Sequence, residues 1–285
     1  MSSTWLAPAK INLFLHINNK REDGYHNLQT IFQLLDYYDE LKFSITNDSV
    51  IKRISGNEDV EQSQDLIVKA AKALQQHTGA TLGANLSIVK NIPMGGGLGG
   101  GSSDAATTLV ALNQLWDTKL TQVQLMKLGL SLGVDVPVFI FAQSAWAEGM
   151  GEILSPVKTP SHYFLVVFIN KHTSTKEIFS HYALTMSKPQ GKMAKFFELA
   201  NTHNDCLQAA IELEAEIGIA LEYLNTRANY IGQARMSGTG SCVFNEFLTE
   251  KDALVAAKKV PKKWMSFVSR AINTSPIHSW AVAKR

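Results

Sequence analysis

The chain has 285 residues, 45% hydrophobic and 18% charged, which suits one large or two ordinary soluble domains with ample core. A formal net charge of +2 gives no argument for nucleic acid or an anionic membrane surface, and the most apolar runs, Val134 to Phe141 and Tyr163 to Ile169, are too short to cross a bilayer. Cys206 and Cys242 stand far apart without metal-ligand spacing, so we expect reduced core thiols in a cytoplasmic protein, no protein-held metal and no secretory segment.

Alternation predicts a strand from Lys10 to Ile17, with Ile11, Leu13, Leu15 and Ile17 on one face and Lys10, Asn12, Phe14 and His16 on the other. Lys10 beside Asn12 on a half-buried face suits neutralising a phosphate or a developing alkoxide; an edge lysine that discourages strand pairing is the plainer alternative. Arg21 to His26 is a turn cluster whose Tyr25 and His26 are suited to stacking on, and hydrogen-bonding, a flat heterocycle. Gln29 to Leu35, Asp39 to Thr46 and Val50 to Ile54 read as further strands, and Asp65 to His77 as a helix.

The most distinctive stretch is Pro93-Met94-Gly95-Gly96-Gly97-Leu98-Gly99-Gly100-Gly101-Ser102-Ser103, with six glycines in eleven residues. Leu86, Ile88 and Ile92 suggest a strand before it; Ala105, Leu109, Leu112 and Trp116 suggest a helix after it, capped by Ser102 or Ser103. A glycine loop that opens a helix offers unpaired N–H groups and the positive end of the helix dipole, so it favours an anion such as a phosphate chain. Gly95, Gly97 and Gly100 satisfy the dinucleotide pattern, but Asp117 ends the helix instead of a second strand, and no Gly-Lys-Ser/Thr completes a Walker loop. Positive charge must therefore come from Mg²⁺ or a distant lysine.

Thr121 to Leu132 reads as a helix stopped by Gly133. Asp135 is the one carboxylate in the run Val134 to Ala142, a costly place unless it caps a helix, pairs with a cation or does chemistry. With Lys10 as partner it becomes a plausible base. Ser155 to Ser161 carries two prolines and is the best domain boundary. Beyond it the pattern reads strand 163–169, helix 176–186, helix 206–225, strand 233–237, strand 241–247, helix 251–259 and strand 264–272. Apart from the extra helix this is the β-α-β-β-α-β order of a ferredoxin-like unit. Ser237 to Ser241 between the middle strands reads as a glycine hairpin turn.

Pro8 to Leu13, Pro93 to Ser103 and Gly238-Thr239-Gly240 together resemble the three motifs of the GHMP small-molecule kinases. Within that superfamily, Asp23-Gly24-Tyr25-His26, Gly133 to Pro137 and Glu148 to Glu152 are similar to the branch acting on 4-diphosphocytidyl-2-C-methyl-D-erythritol in non-mevalonate isoprenoid synthesis. The likeness runs from Pro8 to about His278. It implies an α+β protein of two domains: residues 1–157 as a ribosomal-S5-domain-2-like α/β domain with the ATP loop, and 158–285 as a ferredoxin-like domain. It implies ATP with Mg²⁺, transfer to the 2-hydroxyl of that alcohol, no nucleic-acid or membrane partner, and a monomer or weak homodimer.

Carried over by position, the resemblance makes Asp135 the base and Lys10 its orienting partner. Pro93, Met94, Gly95, Gly96, Gly97, Leu98, Gly99, Gly100, Gly101, Ser102 and Ser103 would hold the nucleotide, with Leu66 and Lys90 beside it. Tyr25 and Phe179 would sandwich the cytosine and His26 read its edge; Asn12, Thr175, Gly238, Thr239 and Gly240 would place the substrate. Two departures stand out. Asp65 replaces the asparagine that often precedes this leucine, and Lys171 to Phe179 matches loosely. A homoserine- or mevalonate-type kinase, or a non-catalytic nucleotide-binding regulator, are the alternatives.

Overall fold

The computed structural model describes residues 4–180 and 203–282. Ten strands form one sheet in the order β3-β4-β2-β10-β7-β9-β8, with β1 and β5 also paired to β2, and β6 to β5. These are β1 (Thr4–Lys20), β2 (His26–Thr46), β3 (Ile51–Ser55), β4 (Gly83–Val89), β5 (Ala145–Glu148), β6 (Ile153–Pro156), β7 (Tyr163–Phe168), β8 (Tyr230–Met236), β9 (Val243–Phe247) and β10 (Met265–Ile272). The helices are α1 (Leu66–Thr78), α2 (Gly100–Leu115), α3 (Gln122–Leu130), α4 (Val136–Phe141), α5 (Thr175–Ser180), α6 (Leu207–Leu213), α7 (Glu216–Asn225), α8 (Glu250–Ala257) and α9 (His278–Ala281).

The order β10-β7-β9-β8, all antiparallel, is the 4-1-3-2 arrangement of a ferredoxin-like unit. Its core gathers Leu165, Val167, Ile217, Leu221, Val243 and Phe247. The other core packs α1, α2 and α4 on the first strands through Leu41, Leu74, Leu86, Leu109 and Phe139, and the C-terminal Ile277 and Ala281 return to it. A third cluster joins the two, with Ile11 and Leu35 from one side, Val166, Cys242 and Phe244 from the other, and Leu98 of the glycine loop among them. The fold is mixed α and β in two units, and the loop is docked at their seam.

Several local expectations change. The polar Asp36 to Asp39 does not interrupt a strand: β2 runs through, pairing Tyr38 with Pro8 and Asp39 with Ala7. Lys10 is not an edge residue, since β1 is paired with β2 and the lysine is 3% exposed. A register shift between Asn12 and Leu15 breaks the simple two-face alternation, and both faces are buried there. The predicted helix 206–225 is broken between α6 and α7, where Glu214 takes an extended backbone. Helix 176–186 is described only as α5, and its later residues lie outside the described range.

Ser102 and Ser103 do not cap α2. Gly99, in the left-handed region at φ 71°, starts that helix, and no side chain caps it. The first amides of α2 are thus left without an intrahelical acceptor or a side-chain cap, as an anion site requires.

Candidate active site

The glycine loop is tied to both units. Lys10 N donates to Leu98 O at 3.0 Å, Cys242 N to Gly96 O at 3.0 Å, and Ser237 Oγ to Gly97 O at 2.9 Å. Gly97 has φ +77°, and a Cβ there would stand 2.2 Å from Ser237 O, so any side chain would push the loop off the 237–242 turn. Local chemistry thus makes a close-fitting backbone cradle, and packing fixes it in place.

Asp135 occupies the position before α4, yet its side chain makes no capping bond. That removes the plain structural reason for an acid in this apolar run. Its Oδ2 lies 3.4 Å from Lys10 Nζ, and its side chain is 31% exposed against 3% for Lys10. Lys10 Nζ also donates to Asn12 Oδ1 at 2.7 Å and stands 5.3 Å from the centre of the Phe32 ring. Asn12 Nδ2 donates to Thr30 Oγ1 at 2.9 Å, which turns the amide oxygen towards Lys10. The Thr30 hydroxyl in turn donates to Phe14 O. A fixed ammonium therefore faces a carboxylate that stays open to ligand, a pairing suited to accepting a proton while steadying negative charge.

This pair opens into a cavity of about 800 Å³. Asn12, Tyr25, His26, Thr175, Phe179, Gly238, Thr239 and Gly240 also line it, together with Gly95, Gly97 and Ser102 of the loop. His26 and Phe179 stack with ring centres 5.3 Å apart, whereas Tyr25 is 55% exposed at the rim. His26 Nε2 is buried without a hydrogen-bond partner among the described residues, and burial, then the charge of Lys20, lowers the pKa of the ring. The turn is held by Thr173 Oγ1 donating to Thr239 O at 2.9 Å and by Asn204 Nδ2 donating to Gly238 O at 2.8 Å. Thr175 and Thr239 hydroxyls meet at 3.1 Å.

Sequence reasoning missed Phe32, His172 and Thr173 on the cavity wall, and Lys20 and Lys176 as its two further lysines. No spacing pointed to them. His172 reaches the loop, with Nδ1 3.4 Å from Gly95 O.

A second cavity, of about 360 Å³, lies on the other side of the loop and shares Gly95, Gly97 and Ser102 with the first. Pro93, Met94, Gly96, Leu98, Gly99, Gly100 and Gly101 line it, as do Leu66, Val60 and Lys90. Ser103 faces inward and is fully buried. Asp65 Oδ1 caps α1 by accepting from Ile67 N at 3.0 Å, while Oδ2 takes Asn57 Nδ2 at 3.1 Å and the Arg53 guanidinium. Its carboxylate is committed to the protein, and Asn57, unforeseen in the sequence, supplies an amide at that wall.

The sequence agrees with these two joined cavities. A family model described as GHMP kinases N terminal domain matches residues 65–143. The 4-diphosphocytidyl-2-C-methyl-D-erythritol kinase of Ruthia magnifica subsp. Calyptogena magnifica is 89% identical over 285 residues, covering all of both chains. This chain belongs to the 4-diphosphocytidyl-2-C-methyl-D-erythritol kinase family. The kinase of the same name from Vesicomyosocius okutanii subsp. Calyptogena okutanii is 83% identical, again over all of both chains. A crystal structure of 4-(cytidine 5'-diphospho)-2C-methyl-D-erythritol kinase superposes with a TM-score of 0.81 at 30% identity, covering 94% of this chain and 99% of that one. Membership of this kinase family makes the protein a small-molecule kinase that uses ATP.

Proposed function

We propose that the protein transfers the γ-phosphoryl group of ATP to the 2-hydroxyl of 4-diphosphocytidyl-2-C-methyl-D-erythritol, releasing ADP. The observation that carries this reading is the Lys10–Asp135 pair at 3.4 Å, in a cavity that ends at the His26–Phe179 stack and shares its loop wall with a second cavity. The second cavity takes the nucleotide base, with Leu66 and Lys90 on its wall. The amides of the loop and of the first turn of α2 take the phosphates. The first cavity takes the acceptor, its cytosine against Phe179, His26 and Tyr25, and its alcohol near Asn12, Thr175 and the turn Gly238-Thr239-Gly240.

In the step itself, Asp135 accepts the hydroxyl proton as the oxygen attacks the γ-phosphorus and the bond to the ADP oxygen breaks. Lys10 orients Asp135 and stabilises the negative charge that develops. Phosphoryl transfer asks chiefly for alignment and neutralised charge, and this set supplies both. Ser102 and Asp135 are oxygen donors on the cavity wall, a hard donor set that fits an Mg²⁺ carried in on the phosphates. Such an ion would supply positive charge against the phosphate chain. The reading divides the chain at 157/158, with the catalytic pair in the first unit, and implies a cytoplasmic monomer or weak homodimer.

The test is acceptor-dependent ADP release with Asp135→Asn beside the intact protein, and with homoserine and mevalonate as control acceptors. A loss in kcat of about a hundredfold or more, seen with the cytidylylated alcohol alone, is expected. Near-full activity of the variant would remove Asp135 as base. Turnover of a control acceptor in preference would replace the substrate.

A further inference from the structure

Lys90 Nζ is held between two carboxylates that the phosphoryl-transfer step does not use. It bonds Asp39 Oδ2 from β2 and Asp104 Oδ2, at 2.7 Å, from the first turns of α2. Asp39 is fully buried, and its Oδ1 accepts from Asn91 N at 2.6 Å and Ile92 N at 2.8 Å, which pins the segment leading into the glycine loop. Asp104 is 4% exposed, and its Oδ1 has no hydrogen-bond partner among the described residues. The ammonium lies under the first turn of α2, 3.4 Å from where a Cβ on Gly100 would be, and Lys90 lines the second cavity.

An ammonium has three N–H donors and no acceptor. Two go to Asp39 and Asp104, which leaves one for the cavity. We propose that Asp39 and Asp104 are positioning residues for the nucleotide, aiming that third Lys90 donor at a ring nitrogen of the adenine base. This rests on the reading that ATP occupies the second cavity. The partner is the base and not the phosphate chain because the cluster offers no spare positive charge: one cation stands against two acids. Burial, opposed by Lys90, raises the Asp104 carboxyl from 3.8 to about 8, and the one ammonium is shared between two carboxyl groups. A cluster without spare positive charge, but with an aimed donor, suits a neutral acceptor better than a polyanion.

The same cluster also bolts β2 to α2, so the test must separate aim from rigidity. ATP binding is measured directly, by displacement of a fluorescent ATP analogue, on the full chain with Asp104→Ala, Asp104→Asn, Asp39→Asn, Lys90→Met and the double variant Asp104→Ala/Lys90→Met. Asp104→Ala, Asp39→Asn and Lys90→Met should each weaken ATP about tenfold. In Asp39→Asn the amide oxygen keeps the two backbone donors, so the amide nitrogen turns a donor towards the ammonium. Asp104→Asn, whose amide oxygen still accepts from Lys90, should restore most of the affinity. The double variant should be no weaker than Lys90→Met, because Asp104 acts through the lysine. Kinetically, KM for ATP rises while kcat at saturation and KM for the acceptor stay within about twofold. Inorganic tripolyphosphate should bind the intact protein and Lys90→Met alike.

Additive losses in the double variant, or parallel changes in kcat and both KM values, would show a structural bolt and overturn the assignment. Equal weakening of tripolyphosphate would put the donor on the phosphates and overturn the base contact. Intact protein that binds ATP while every variant binds it equally well overturns this inference alone; intact protein that binds no ATP overturns the proposed function with it.

Discussion

Lys10 and Lys90 both touch the glycine loop, and each meets carboxylate, yet their surroundings differ. Lys10 faces one acid, Asp135, at 3.4 Å with nearly a third of that acid's side chain open to the cavity. Lys90 is gripped by two acids whose side chains are 0% and 5% exposed. An exposed carboxylate beside a fixed cation can exchange a proton with a ligand. A buried carboxylate already bonded to its cation can only hold it still. The difference is one of access, and on the proposed reading it separates a pair placed for chemistry from a cluster placed for geometry.

The sharpest way to break this contrast is to remove both ammonium groups in turn. Lys10→Met should lower kcat by about a hundred- to ten-thousandfold while KM for ATP moves little, since its charge acts on Asp135 and the developing oxyanion. Lys90→Met should do the reverse. Single-turnover ADP release with each variant reads the split; equal falls in kcat would mean that both lysines serve the reacting atoms and that access decides nothing.

A smaller effect belongs to the far end of the first cavity. His26→Ala removes the partner of the Phe179 ring and the unpaired buried Nε2, so KM for the cytidylylated acceptor should rise about tenfold with KM for ATP unchanged. Burial depresses the imidazole pKa below 6.5, so the ring stays neutral at and somewhat below that pH. Acceptor KM in the intact protein should therefore hold steady as pH falls through 6.5 and rise only in more acidic solution. A rise centred at 6.5 would mean that the ring is solvated and takes no part in reading the cytosine.

The pairing of Lys10 with Asp135 was legible in the sequence, and the cluster around Lys90 was not. A lone acid in the apolar run around Asp135 announces itself locally, because it has no cheap solvated explanation, whereas Lys10 stood out from an edge lysine only through the family resemblance. Asp39 and Asp104 sit in polar surroundings, Asp39 beside Asp36 and Asp104 after two serines, and look like surface residues. Their burial comes from the meeting of β2 with α2, and Asp39 finds Lys90 51 residues away. The same limit explains the helix start. Serines after glycines read as caps, but the left-handed turn at Gly99 begins α2 earlier and leaves its amides bare. The ferredoxin-like order was readable because its strands are short apolar runs; the break at Glu214 was not, since apolar spacing continues across it.

A further expected effect concerns stability and probes the buried side of the contrast by itself. The Asp104 carboxyl stands near 8 in the folded protein against 3.8 when unfolded, because burial penalises its charge. Between those two values the folded state holds a proton that the unfolded state has lost. Its contribution is full below about pH 4 and disappears as pH rises towards about 8. Asp104→Asn has no such proton, so its melting temperature should lack that downward slope. His26 works in the opposite sense, with a lowered pKa and stability lost as pH falls through the acid range, but it is present in both proteins and cancels in their difference. The exposed acids Asp23, Asp48, Glu58, Glu216 and Asp252, whose pKa values are lowered, act only in the acid range at and below their ordinary values and cancel likewise. Melting curves of the two proteins should thus lie together in acid, where the carboxyl is neutral like the amide, and part as pH rises towards about 8, the intact protein becoming the less stable. Curves that run parallel across the whole range would mean that burial does not hold a proton on Asp104, and that the Lys90 cluster carries a negative charge which disfavours the phosphate chain still more.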